Sequence, residues 1–214
     1  MVSLLMAHSD DHGLVLPPKL APYQVVIVPI YKGEEQYKAV KEAGNKIREE
    51  LRDFGISVKF DDRDTYKPGW KFNEYELKGV PVRIAIGPKD LEKGTVEVAR
   101  RDTLEKEFLQ QTDVANKVEH LLEQIQINLL TKSQTFAEEN TRVVDSWEEF
   151  KDTLENKPGF IYAHWDGTNE TEERIKSETK ATIRCIPKDA VLEDGVCVFS
   201  GSKSIRKVLF AKAY

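Results

Sequence analysis

Cysteine is nearly absent. Cys185 and Cys197 are the only two in 214 residues, which excludes the disulfide framework of a small secreted domain and reads as reduced thiols of a cytoplasmic protein. No apolar run approaches the roughly 20 residues needed to cross a bilayer. Residues 1–6 also lack the charged and long apolar regions of a secretory leader, so no membrane partner is expected. Positive charge is not in excess: 32 Lys and Arg against 37 Asp and Glu leave a net charge of −5. A protein that coats nucleic acid would be basic, so any RNA contact here must come from a few well-placed groups. Internal repeats and low-complexity tracts are missing too. What remains, 40% hydrophobic and 32% charged, is the balance of a globular chain with one or two real cores.

Residues 2–6 are apolar, residues 8–13 form a polar turn, and residues 14–16 read as a short strand closed by Pro17 and Pro18. Two strand-like pieces around a turn need partners, so this opening reads as the last hairpin of a larger, removed domain. Residues 23–30 are the strongest strand signal, a β-branched run suited to a central strand buried on both faces. Tyr37, Val40, Ile47, Leu51 and Phe54 share one helical face, stopped by Gly55. Ile56, Val58 and Phe60 alternate as a second strand. Residues 61–64 are a charged loop. Pro68 and Gly69 open a helix that Gly79 ends. Val82, Ile84 and Ile86 make a third strand, residues 87–90 a turn, and Val96 and Val98 a fourth strand. A long amphipathic helix carries Val114, Val118, Leu121, Leu122 and Ile125. The order argues for a compact α/β domain with a mixed sheet. After about residue 132 a small α+β unit follows. Ser146 and Glu149 suggest a capping box ahead of Trp147, Phe150 and Leu154. Strands are expected at 160–163, 182–186, 196–199 and 208–211, with a charged helix at 170–177.

Several groups could carry chemistry. His8, Asp10, Asp11 and His12 are potential metal ligands, but neighbours on a turn rarely converge, and spacing alone reads them as a solvated loop. Asp61, Asp62 and Asp64 could be an acid/base cluster; a self-neutralising loop with Arg63 is commoner, although open α/β sheets do bind ligands beyond strand carboxyl ends. Glu76, Arg83, Lys89 and Asp90 offer carboxylates and cations that suit the edges of splayed bases. Arg83 lies opposite Val82, Ile84 and Ile86. The plain alternative is an exposed salt-bridge surface of little energetic worth. Cys185 and Cys197 lack the partners of a cysteine-rich zinc site and read as two buried structural thiols. The chain ends apolar, on Tyr214, where ends are usually polar; that suggests a docked terminus whose carboxylate has a task.

In order, blocks over nearly all of the chain resemble prolyl-tRNA synthetase of the archaeal and eukaryotic type. Residues 8–22 (HSDDHGLVLPPKLAP) look like motif 3 of a class II catalytic domain. Residues 23–30 (YQVVIVPI) look like the first strand of the anticodon-binding domain. Residues 68–81 (PGWKFNEYELKGVP) and 87–94 (GPKDLEKG) are highly specific blocks. Residues 184–187 (RCIP) and 210–214 (FAKAY) match the last domain.

The resemblance implies three parts: residues 1–22 from the catalytic domain, 23–132 the mixed-sheet α/β anticodon-binding domain, and 133–214 a small α+β carboxy-terminal domain. It implies that Glu76, Arg83, Lys89 and Asp90 read the guanines of the proline tRNA anticodon. It implies a parent ligase, a homodimer, that joins proline to tRNA with ATP and magnesium. Motif 3 normally supplies an arginine to the ATP phosphates. Lys19 stands there, keeping the charge but not the bidentate fork. Many relatives hold zinc through four cysteines; the matching positions are Asp166, Thr171, Cys197 and Ser200, so no zinc is expected. Tyr214 matches a terminal tyrosine that reaches toward the catalytic domain. These residues alone are expected to activate no proline. Two other classes remain: a free-standing adaptor for RNA or protein, and a hydrolase or metal enzyme built on the turn from His8 to His12.

Overall fold

The structure, a computed structural model, describes residues 2–188 and 190–212. It divides into two compact units, Met1–Ser133 and Gln134–Tyr214.

The first unit opens on helix α1 (Val2–Ala7) and a hairpin of β1 (Ser9–Asp10) and β2 (Gly13–Leu14). The strand expected near residues 2–6 is therefore a helix, and the pairing falls inside the polar segment. Leu4, Leu5 and Met6 are good helix formers. Then follow β3 (Val25–Pro29), α2 (Gly33–Asp53), β4 (Val58–Phe60), α3 (Pro68–Leu77), β5 (Val82–Ile86), α4 (Pro88–Lys93), β6 (Thr95–Arg100), β7 (Lys106–Gln110) and α5 (Val114–Glu139).

The sheet runs β4-β3-β5-β6-β7. The first three strands are parallel, and β6 and β7 are added antiparallel. All five residues of β3 are buried, as the β-branched run demands. On one face, Val25, Ile27, Val82, Ile84 and Val98 pack with Val40, Ile47 and Leu51 of α2 and Val118 and Ile125 of α5. On the other, Val26 and Val28 pack with Tyr75, Val80 and Phe72, from α3 and the turn after it. The sheet is thus covered on both sides, which fixes where Arg83 points.

Residues 87–90 are not a free turn. Pro88 starts α4, and the Gly87 N–H donates to Asp90 Oδ2 at 2.8 Å. Turn-forming residues here serve a helix start. β7 was not anticipated: of its five residues only Leu109 is buried, so an edge strand leaves no alternation to read.

Two glycines lock the opening hairpin to the end of α3. A Cβ on Gly13 would lie 2.7 Å from Leu77 Cα, and one on Gly79 would lie 2.7 Å from the Leu14 backbone. Both glycines have positive φ, so each is required twice over.

The second unit contains β8 (Thr141–Val143), α6 (Trp147–Asn156), β9 (Phe160–His164), α7 (Asn169–Thr179), β10 (Ala181–Cys185), β11 (Gly195–Val196), β12 (Lys203–Ser204) and β13 (Lys207–Lys212). Its main sheet runs β10-β13-β9-β8. Phe150 of α6 meets Phe210 of β13 edge-on, with ring centres 5.2 Å apart. The Ser146 hydroxyl caps α6, accepting from the Glu149 N–H at 3.2 Å. The strand expected over 196–199 pairs only through Gly195 and Val196; the chain then turns toward Gly201, where φ is +69°. Tyr214 lies outside the described residues. The whole is the α/β domain with a small α+β unit that the sequence predicts.

Candidate functional site

Arg83 leaves β5 on the face away from Ile84, as alternation requires. That face is not open solvent, because α3 crosses it. The Arg83 side chain is 11% exposed, and its Nη2 donates to Glu97 Oε1 of β6 at 3.0 Å. Its guanidinium carbon stands 3.8 Å from the centre of the Phe72 ring, a cation–π contact. Nη1 is buried and has no partner among the described residues. A buried N–H without an acceptor is costly. The exposed salt-bridge surface weighed from the sequence does not describe Arg83.

Arg83 lines an open cleft of about 230 Å³ with Phe72, Tyr75 and Glu76 of α3, Arg100 and Arg101 at the end of β6, and Lys106 of β7. Phe72 and Glu76 are one helical turn apart and share a wall. The Glu76 carboxylate lies 3.4 Å from His12 Nδ1, and the Glu76 carbonyl accepts from Arg101 Nε at 2.9 Å. Arg101 also forks onto both oxygens of Asp10, at 2.8 and 2.5 Å. That guanidinium, with the His12 N–H, holds the Asp10 carboxyl down at about 2 against its partial burial. Burial drives the Tyr75 hydroxyl up to about 12, so it stays neutral.

Sequence reasoning named Glu76 and Arg83 but missed Phe72, Arg100, Arg101 and Lys106. Phe72 was findable, four residues before Glu76. Arg100 and Arg101 needed the pairing of β5 with β6, and Lys106 that of β6 with β7. Lys89 and Asp90 do not line this cleft: α4 starts beyond the carboxyl end of β5, whereas Arg83 is that strand's second residue. Lys89 is exposed, and one Asp90 oxygen already caps α4. Lys19 is exposed, its backbone N–H donating to Gln126 Oε1 at 3.2 Å.

Other clusters have structural work. Asp10 is engaged by Arg101, and the described residues contain no group of three or more His, Cys, Asp or Glu able to hold a metal. Asp61 is buried, not solvated; Arg63 forks onto it at 2.8 and 2.7 Å. In the second unit, Asp166 accepts from the Ser200, Thr171 and Thr168 hydroxyls at 2.6, 2.7 and 2.8 Å. Of the two thiols Cys197 is buried, whereas Cys185, read from the sequence as buried too, is exposed. A carboxylate saturated by three hydroxyls, with one thiol, does not fit the donor set of a structural zinc.

Residues 24–121 match the family model of an anticodon binding domain, and residues 147–214 that of the prolyl-tRNA synthetase C-terminal region. These residues are the carboxy-terminal region of a prolyl-tRNA synthetase, with its anticodon-binding domain. Among its relatives are proteins named proline–tRNA ligase. Those of Christiangramia forsetii and Porphyromonas gingivalis are each 58% identical, and that of Flavobacterium johnsoniae 60%, over all 214 residues. The matches cover 43–44% of each relative, so the chain spans less than half the length of the curated relatives it matches. All three relatives are bacterial. No helix among the described residues is long and apolar enough to cross a membrane.

Proposed function

We propose that the cleft between α3, β5 and β6 receives a guanine of the proline tRNA anticodon. The carrying observation is that Arg83 and Glu76, a guanidinium and a carboxylate, line one cleft. Arg83 bonds an acceptor of the base, and Glu76 accepts from the N–H donors of its Watson–Crick edge. Lys89 and Asp90, near the other end of β5, contact the second guanine. Lys106 and Arg100 favour the phosphate backbone.

For the whole protein we propose proline–tRNA ligase activity: proline and ATP, with magnesium, give prolyl-adenylate, and the prolyl group passes to the terminal ribose of the tRNA. Residues 1–22 then belong to the catalytic domain, 23–132 to the anticodon-binding domain and 133–214 to the terminal domain. Lys19 supplies a point charge near ATP, and the Tyr214 carboxylate reaches toward the catalytic domain. The enzyme is a cytoplasmic homodimer. The blocks at 8–22, 68–81 and 87–94 support the archaeal and eukaryotic type, bacterial relatives notwithstanding.

The test is binding of the 214-residue chain to the anticodon stem-loop of proline tRNA, beside copies with either shared guanine changed, at low and moderate salt. Preference for the natural loop that Arg83→Ala or Asp90→Ala erases supports the reading. Equal binding of all loops refutes it. Proline-dependent pyrophosphate exchange is expected to be absent from these residues alone.

A further inference from the structure

We infer that the opening hairpin is a positioning element of the cleft, and that Asp10 and His12 set where Glu76 stands. This rests on the guanine reading above. Residues 9–14 precede the matched anticodon-binding region, 24–121, yet three contacts run from them to its wall.

His12 Nδ1 is 3.4 Å from the Glu76 carboxylate. Either the imidazolium or the Nδ1–H tautomer can donate across that gap once it tightens. Asp10 acts at one remove. It forks with Arg101, whose side chain is 2% exposed, and Arg101 Nε holds the Glu76 carbonyl. Arg101 is therefore a strut between the hairpin and the last turn of α3. The third contact is steric: Gly13 against Leu77, and Gly79 against Leu14, with the Leu16 N–H donating to the Gly79 carbonyl at 3.2 Å. The helix end carrying Glu76 is thus gripped at its backbone and its side chain by a segment outside the sheet.

Glu76 matters in this arrangement because its side chain is 35% exposed and has several rotors to restrain. A carboxylate that must meet two N–H donors of one base edge discriminates only if it is held in place. Asp10 and His12 touch no base. They act through Glu76, so they govern discrimination between bases more than affinity.

The experiment compares wild type with Asp10→Asn, His12→Ala and His12→Gln. Each binds the natural stem-loop and one with a guanine changed, and each is melted. The expected result is a drop of about 2- to 30-fold in discrimination for Asp10→Asn and His12→Ala. The melting of His12→Ala stays at wild-type value, and His12→Gln, which keeps a donor, recovers discrimination. Asp10→Asn removes the counter-charge of Arg101, so if it unfolds, the two His12 variants decide. Full discrimination in His12→Ala and in folded Asp10→Asn overturns the inference and leaves the guanine reading standing. Equal binding of both loops by wild type removes that reading, and this inference with it.

Discussion

The Ser200 hydroxyl donates to Asp166 Oδ2 across 2.6 Å, and the Thr171 hydroxyl donates to the same oxygen at 2.7 Å. One carboxylate thereby ties the segment after β9 to the first turn of α7 and to the turn after β11. Burial disfavours its charge, but the hydrogen bonds outweigh burial and bring the carboxyl down to about 2. The unfolded value is about 3.9. A depressed pKa gives stability that is present above the unfolded value and lost as pH falls through the folded one. Asp166→Asn presents donors where acceptors are needed. It is expected to cost the second unit about 1–3 kcal/mol and to flatten its acid limb between about pH 4 and 2. Calorimetry across that range checks both; an unchanged melt removes the role.

The same cluster bears on metal. The positions that resemblance equates with zinc ligands here satisfy one another: both Thr171 and Ser200 are bound to Asp166. Domains held by zinc unfold when it is chelated. Elemental analysis of the chain is expected to find no stoichiometric zinc, and a strong chelator is expected to leave the melting temperature unmoved. Stoichiometric zinc, or a chelator-induced drop, contradicts this.

In the first unit Asp61 and Lys71 are both buried. Lys71 Nζ donates to the Asp61 carbonyl at 3.0 Å and stands 3.7 Å from Asp61 Oδ1. Burial raises the Asp61 carboxyl, but Arg63 and Lys71 together pull it down to about 2. Asp61→Ala strands the Lys71 ammonium in the interior and is expected to cost about 3–5 kcal/mol. Lys71→Met is expected to cost less, because Asp61 keeps its fork from Arg63. Urea unfolding of both variants measures the order; the reverse order shows that the Arg63 fork does not hold Asp61 without Lys71. The stability from Asp61 is present above about pH 4 and is lost toward about pH 2.

What the sequence made legible follows what it buries. Val25, Val26, Ile27 and Val28 are all fully buried, and their β-branched run announced the strand. Edge strand β7 buries only Leu109, so no periodicity betrays it. The Gly87-Pro88 pair reads as a turn by composition, and only the Asp90 cap shows it opening a helix. Alternation put Arg83 on the correct side of β5, but alternation does not say what covers that side. Glu76 and Arg83 stand 17 to 25 residues from Arg100 and Arg101, and the pairing of Arg83 with Ala99 across β5 and β6, under α3, brings the four to one cleft. Lys89 and Asp90 came with them by resemblance and stand apart in space.

Arg83 itself separates a base-reading cleft from a merely cationic one. Arg83→Lys keeps a positive charge within reach of Glu97, but it loses the planar fork and the free Nη1. If the cleft reads a guanine, this variant loses about 1–3 kcal/mol of discrimination, and its salt dependence stays close to wild type because the charge count is unchanged. Lys106→Ala, at the rim, is expected to do the converse. It weakens binding of natural and altered stem-loops alike and lowers the salt slope by about one. Titrations of both variants at several salt concentrations give the two quantities separately. Loss of affinity without loss of discrimination in Arg83→Lys makes the cleft a phosphate contact and moves the base-reading role to Lys89 and Asp90.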